Sequence, residues 1–337
     1  MTKQKFPLKR LPDDLCSLIL KTMEHHEVIA YSLISKKAHS TVQSLRLPLK
    51  SARIKLKWPE INLDFGSISV LFKWRMGDNH EELKNLNDIP IDVDVTIEKR
   101  SLIFDDDDME FWPTVVSKTY FWSNQEKNIG QWIQHICSIF RCDSYEAGFS
   151  IGKRTFGDIK SIRNTFPKLR KIVISCEPNE QDITSAQNIL RAFQPETVHL
   201  YSAPLQENLQ HTGMRNLKEL EIHSPHLNPR IEDLLTMNVE RCTILGTQFS
   251  LRDLNRFFKL WTKGSNRRLN YLFVHGEGVA DWNALMKGLQ AGEAIRIQGE
   301  QVEREKEHTI QNCYGICGTI KMINIRLVVS VEFTVLN

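Results

Sequence analysis

Leu11-Pro12-Asp13-Asp14-Leu15-Cys16-Ser17-Leu18-Ile19-Leu20-Lys21-Thr22-Met23 sets the reading of the whole chain. Proline suits a first helical turn, where its missing N–H has no intrahelical partner, and the two acids favour the positive end of the helix dipole. Leu11, Leu15, Ile19 and Met23 recur every four residues with Leu18 and Leu20 beside them, an apolar stripe too wide for one small partner helix. After a break at Glu24-His25-His26, Val28, Ile29 and Leu33 mark a second helix. Ser35 is placed to cap a third, in which Ala38, Val42 and Leu45 share a face. Some forty residues in three helices leave much of their surface in water, so a partner protein is expected to cover the surplus apolar face.

The order Leu-Pro, two acids, Leu, paired aliphatics, Met, then Glu27-Val28-Ile29 and Leu33-Ile34-Ser35-Lys36-Lys37 resembles the F-box, here over residues 5–50. That resemblance implies the substrate-recognition subunit of a ubiquitin ligase, docked on a Skp-type adaptor that links it to a cullin and a RING subunit. Carried over by position, it assigns adaptor contacts to Leu11, Pro12, Leu15, Ile19, Leu20, Val28, Leu33, Ser35 and Lys36. His25-His26 departs from the Asp-Pro turn common in the family, and Ala38 stands where many members carry tryptophan.

Residues 51–128 read as a β-containing bridging region. Arg53 to Leu63 and Ser67 to Trp74 contain alternating apolar positions, and Ile91 to Ile97 alternates cleanly, as a half-buried strand does. Short strands joined by loops are expected. Asp105 to Asp108 lacks the spacing and glycine of a calcium loop and reads as solvated.

From Gly130 the pattern changes to amphipathic helices alternating with short apolar strands at roughly 20 to 30 residues, the spacing of leucine-rich-type units. The expected fold class is therefore mixed α/β: a three-helix module, the β-containing bridge, and over 129–337 an irregular leucine-rich-repeat-like αβ solenoid that recognises a substrate. Parallel strands would bury one face under helices and leave Lys171, His199, Glu219, Glu221, Arg241 and Asn270 on the open face for a protein target. Within this part, Leu251-Arg252-Asp253-Leu254-Asn255-Arg256-Phe257-Phe258-Lys259-Leu260-Trp261, followed by Gly264-Ser265-Asn266 and Arg268-Leu269, is similar to the signature of the F-box-associated type 2 domain. Membership implies substrate recognition without saying which substrate.

Composition agrees with a protein-binding role. A net charge of +3 over 337 residues gives no general polyanion affinity, although residues 1–60 hold nine Lys and three Arg against two Asp and three Glu. The basic stretch Lys50, Arg53, Lys55, Lys57 with Trp58 is the basis of the alternative reading, a nucleic-acid-binding or adaptor-binding scaffold protein with no ligase role. Seven cysteines at irregular spacing argue for reduced thiols, hence cytoplasm or nucleus, and no apolar run reaches the length of a membrane span. Neither Cys137 with Cys142 nor His308 with Cys313 and Cys317 has the spacing of a zinc motif, and no nucleotide loop or nucleophile elbow is present. Gly276-Glu277-Gly278 is a lone glycine pair in a turn. A non-catalytic receptor with no cofactor and no metal is expected.

Overall fold

The computed structural model describes residues 11–77, 83, 85–104, 111–142, 144–151, 159–166, 168–176, 180–201, 216–223, 231–247, 249–277, 281–290, 306–325 and 328–336. Asp105 to Asp108, the expected helix over 205–211 and the expected strand over 294–297 lie outside these residues. The chain divides into two compact units, Met1–Gly148 with Phe156–Leu169, and Phe149–Thr155 with Arg170–Asn337. It is mixed α/β, with N-terminal helices and extensive β-structure.

The first unit opens with α1 (Asp13–Thr22), α2 (His25–Ser32) and α3 (Lys36–Ser44). Local chemistry sets each start. Asp13 and Asp14 sit in the first turn of α1 behind Pro12; Glu24 and Glu27 close a reciprocal capping box on α2; and the Ser35 hydroxyl accepts from the Ala38 N–H at 3.1 Å. The sheet of this unit runs β8 (Tyr145–Ile151), β2 (Ser51–Lys55), β3 (Glu60–Asp64), β4 (Ile68–Arg75), β5 (Asp92–Phe104) and β6 (Phe111–Ser123), where β8 joins β2 through its first four residues. The β2 to β6 pairings are antiparallel. Val93, Val95 and Ile97 are buried as the alternation requires, but β5 and β6 each span 13 residues, so the expectation of short strands fails here. One long ladder buries the period-two face with fewer exposed ends. Leu47–Leu49 (β1) pairs in parallel with Phe140–Cys142 (β7), directly after α4 (Ile129–Ile139).

In the second unit β9 (Leu169–Cys176), β10 (Thr197–Tyr201), β11 (Leu217–His223), β12 (Val239–Thr247) and β13 (Tyr271–Glu277) lie side by side in chain order and parallel. Between them run α6 (Glu180–Phe193), α7 (Ile231–Thr236) and α8 (Leu251–Thr262), while α5 (Ile159–Thr165) belongs to the first unit. Ile172, Val198, Leu220, Cys242 and Leu272 form one cross-strand row and are each buried to within 1%. Leu254, Phe257, Phe258 and Trp261 of α8 are buried with them. After β13 and the short α9 (Trp282–Met286) the order breaks: β16 (Val328–Val335) pairs antiparallel with β13, β15 (Cys317–Ile325) with β16, and β14 (Lys306–Gln311) with β15. Described helices thus separate β9 from β10, β11 from β12 and β12 from β13, and beyond β13 the antiparallel strands depart from the solenoid expected over 129–337. The tight turn at Asn312 to Ile316, with Gly315 at φ +81°, folds β14 directly back on β15 and leaves no room for a covering helix.

Candidate functional site

The first surface lies on the N-terminal helices. Their inner sides are filled: Leu20, Val28, Ile29, Ala38 and Val42 are at most 2% exposed. Other contacts within the first unit hold the helices in place. His25 stacks on Phe65 at 3.8 Å and His26 on Tyr120 at 4.9 Å, while the Glu24 carboxylate takes a 2.7 Å ion pair from Lys99 that lowers its pKa. These contacts give His25-His26 a packing role where the family commonly has Asp-Pro. Burial pushes both imidazoles below their ordinary pKa.

Among the exposed polar side chains of these helices, three large apolar ones stay outside. Leu15 is 49% exposed, Leu18 61% and Ile34 58%, and a shallow recess beside Ile34 is lined by Ala30, Leu33, Trp122, Ser123 and Gln125. Of the residues assigned to adaptor contact, Pro12, Leu15 and Lys36 are exposed, and Leu11, Ile19, Leu33 and Ser35 are half-buried. Leu20 and Val28 are interior and hold the helices together, so that assignment is corrected to a structural role. The width of the apolar stripe could not separate Leu20 from Leu15, because it wraps both sides of α1. Leu18 and Ile34 belong to the open surface, and their signal was the excess width of the stripe.

The second surface is the polar face of the second unit. Register aligns Lys171, Thr197, Glu219, Arg241 and Tyr271 in one row, and Val173, His199, Glu221, Thr243 and Phe273 in the next. Lys171, His199, Glu219, Glu221 and Arg241 therefore share the face opposite the buried rows. Asn270 does not: it precedes β13, its N–H bonds Glu240 O at 2.8 Å, and Tyr271 holds the position beside Arg241, its ring 4.4 Å from the guanidinium. The reading from sequence began that strand two residues early. His199 Nδ1 lies 3.1 Å from Glu221 Oε2, and His223 Nε2 contacts the other oxygen of the same carboxylate. The His223 ring packs against Tyr201 at 4.7 Å. His223 was missed, although counting on by two from Glu221 would have found it.

The signature stretch around α8 has a structural explanation. Asn255 Nδ2 donates to Leu285 O at 2.6 Å and to Lys287 O at 3.1 Å, tying α8 to the end of α9. Asn266 Nδ2 donates to Leu234 O at 3.0 Å and Met237 O at 2.9 Å, closing the end of α7. Trp261 meets Phe333 edge to face at 4.9 Å. Gly264, at φ +95°, lies where a Cβ would stand 2.7 Å from the Tyr314 ring and 2.9 Å from Cys313 Sγ, so no other residue fits that turn unchanged.

The basic stretch near Trp58 is largely neutralised in place: Arg53 pairs with Glu146 at 3.3 Å, Lys55 with Glu60 at 2.6 Å and Lys50 with Asp64 at 4.0 Å. Among the described residues no helix is long and apolar enough to cross a membrane.

The comparisons with known proteins agree with the geometry. The family model for the F-box domain matches residues 8–50, the three-helix segment, and the model described as F-box associated matches residues 208–274, which take in β11 to β13 and the α8 signature. The F-box associated domain-containing protein sdz-33 of Caenorhabditis elegans is 22% identical over 277 residues, spanning 81% of this chain and 80% of that protein. No solved structure matches. The chain thus carries an F-box over residues 8–50 and an F-box-associated domain over residues 208–274.

Proposed function

We propose that this chain is the substrate-recognition subunit of a ubiquitin ligase, docked through α1 to α3 on a Skp-type adaptor that joins it to a cullin and a RING subunit. The observation that carries the reading is the exposure of Leu15, Leu18 and Ile34 on helices whose own core is already full. An apolar surface of that kind, next to the recess at Trp122, is stabilised by a covering protein. The family resemblance adds Leu11, Pro12, Ile19, Leu33, Ser35 and Lys36 to the adaptor contacts. The protein target binds the polar strand face of the second unit, with Lys171, Glu219, Glu221 and Arg241 among the contacts and the buried His199 supporting Glu221 from beneath. The chain acts in the cytoplasm or nucleus and contributes proximity rather than chemistry. In keeping with this, burial holds the Cys137 and Cys242 thiols up to about 12, so neither supplies a thiolate for ubiquitin transfer at neutral pH.

Binding of purified adaptor to the full chain tests the reading. Each of the three side chains leaves roughly half its surface to bury, worth about 1 kcal/mol apiece and about 3 kcal/mol together. The triple alanine variant of Leu15, Leu18 and Ile34 should therefore bind roughly a hundredfold more weakly, with its melting temperature kept because exposed side chains carry little folding energy. Undiminished affinity in that variant would defeat the proposal. The ligase role is tested separately, by whether bound partners accumulate in cells when the same variant replaces the wild type.

A further inference from the structure

The polar face of the second unit carries a cluster that adaptor docking does not use. His199 on β10 stands directly opposite Glu221 on β11, and Glu219, two residues earlier on β11, emerges on the same side. One ligand atom from each of these three side chains lies within 4.8 Å of the other two. The geometry points to a binding site for a divalent zinc-type cation, held by His199, Glu219 and Glu221, with His223 orienting the Glu221 carboxylate and the fourth position open to water or to a side chain of a bound protein.

Charge is the first argument. Glu221 is met by two imidazoles, but among the described residues Glu219 forms no ion pair, even though Arg241 is its neighbour across the ladder. That guanidinium lies over the Tyr271 ring instead. Two carboxylates converge with no lysine or arginine between them, and a dication would relieve the repulsion. A hydrogen-bonded His–Glu–His arrangement accounts for His199, Glu221 and His223, and leaves Glu219 unexplained.

Geometry and chemistry are the second. In a tetrahedral sphere with bonds of about 2.0 to 2.1 Å, ligand atoms stand roughly 3.3 Å apart. His199 Nδ1 and Glu221 Oε2, at 3.1 Å, already have nearly that separation. A Glu219 oxygen lies within 4.8 Å of both atoms. Imidazole nitrogen mixed with carboxylate oxygen suits zinc better than calcium or magnesium, which prefer all-oxygen shells. His199 is only 7% exposed, and both strands are paired on each side, so the ligands sit on rigid supports.

The test uses the full chain alone, stripped with a chelator, desalted and titrated with zinc chloride against a chromogenic chelator. One equivalent should bind and raise the melting temperature. Glu219→Gln, which keeps the shape of a half-exposed side chain, should weaken binding at least about tenfold, and His199→Asn should do the same. Absence of zinc uptake at micromolar concentrations would overturn the proposal. So would unchanged affinity in Glu219→Gln, which would place the ion at cysteines elsewhere. If His199→Asn does not fold, Glu219→Gln decides the matter. No adaptor or target enters the titration, so its failure is separate from failure of the receptor reading.

Discussion

Acid should loosen the seat of α2 and α3 on α4 through one residue, His135. The Ser32 hydroxyl donates to Ile29 O at 2.6 Å, so its oxygen is left to accept from His135 Nε2 at 2.8 Å. The Ser138 hydroxyl likewise donates to His135 O at 2.7 Å and accepts from His39 Nε2 at 2.8 Å. The two imidazoles, 4.6 Å apart, therefore each donate through Nε2. Burial, followed by the charges of His39 and Lys127, holds the His135 pKa down to about 4 from its ordinary 6.5. A depressed histidine pKa means that the unfolded chain takes up the proton first, so stability is complete above pH 6.5 and falls as pH drops towards 4. Between pH 7.5 and pH 5 the loss works out at about 2 kcal/mol, and about 1 kcal/mol once solvent screening of the partly exposed ring is allowed for. His135→Gln keeps a donor for Ser32 and removes the titration. Denaturant unfolding at the two pH values should show the wild type losing about 1 kcal/mol more than the variant, with other acid-sensitive groups cancelling in the comparison. Equal losses in the two proteins would refute the argument.

Two further substitutions probe the framework. Leu20→Ala empties a site that is 0% exposed and should cost about 2 to 5 kcal/mol of folding free energy, read as a lowered melting temperature, in contrast to the tolerated changes at Leu15 and Leu18. Asn266→Ala strips the donor from Leu234 O and Met237 O and puts alanine at φ +52°, so about 1 to 3 kcal/mol should be lost in denaturant unfolding, with Asn255 undisturbed.

The parts of the fold legible in the sequence were those set by neighbours along the chain. Pro12 with two acids and Ser35 fix where α1 and α3 begin, since capping partners lie within a few residues of each other, whereas α2 begins at His25, inside the stretch read as a break, on a Glu24–Glu27 capping box that the reading did not use. Alternation from Asp92 to Ile97 fixes a strand for the same reason. Strand direction was less legible: nothing in the local pattern of residues 317–335 separates an antiparallel hairpin from further repeats, because both bury every second residue.

Taken alone, the sequence determined the N-terminal helices and strands such as β9 and β12, because period, caps and turn residues are local properties, whereas the F-box was a resemblance carried by the order of residue types. Only the tertiary structure decided which leucines of α1 face inward and which stay exposed, since that depends on how α2 and α3 pack against it. The meeting of His199 with Glu219 and Glu221 was likewise settled by folding alone, because residues some twenty positions apart come within bonding distance only when parallel strands set their register.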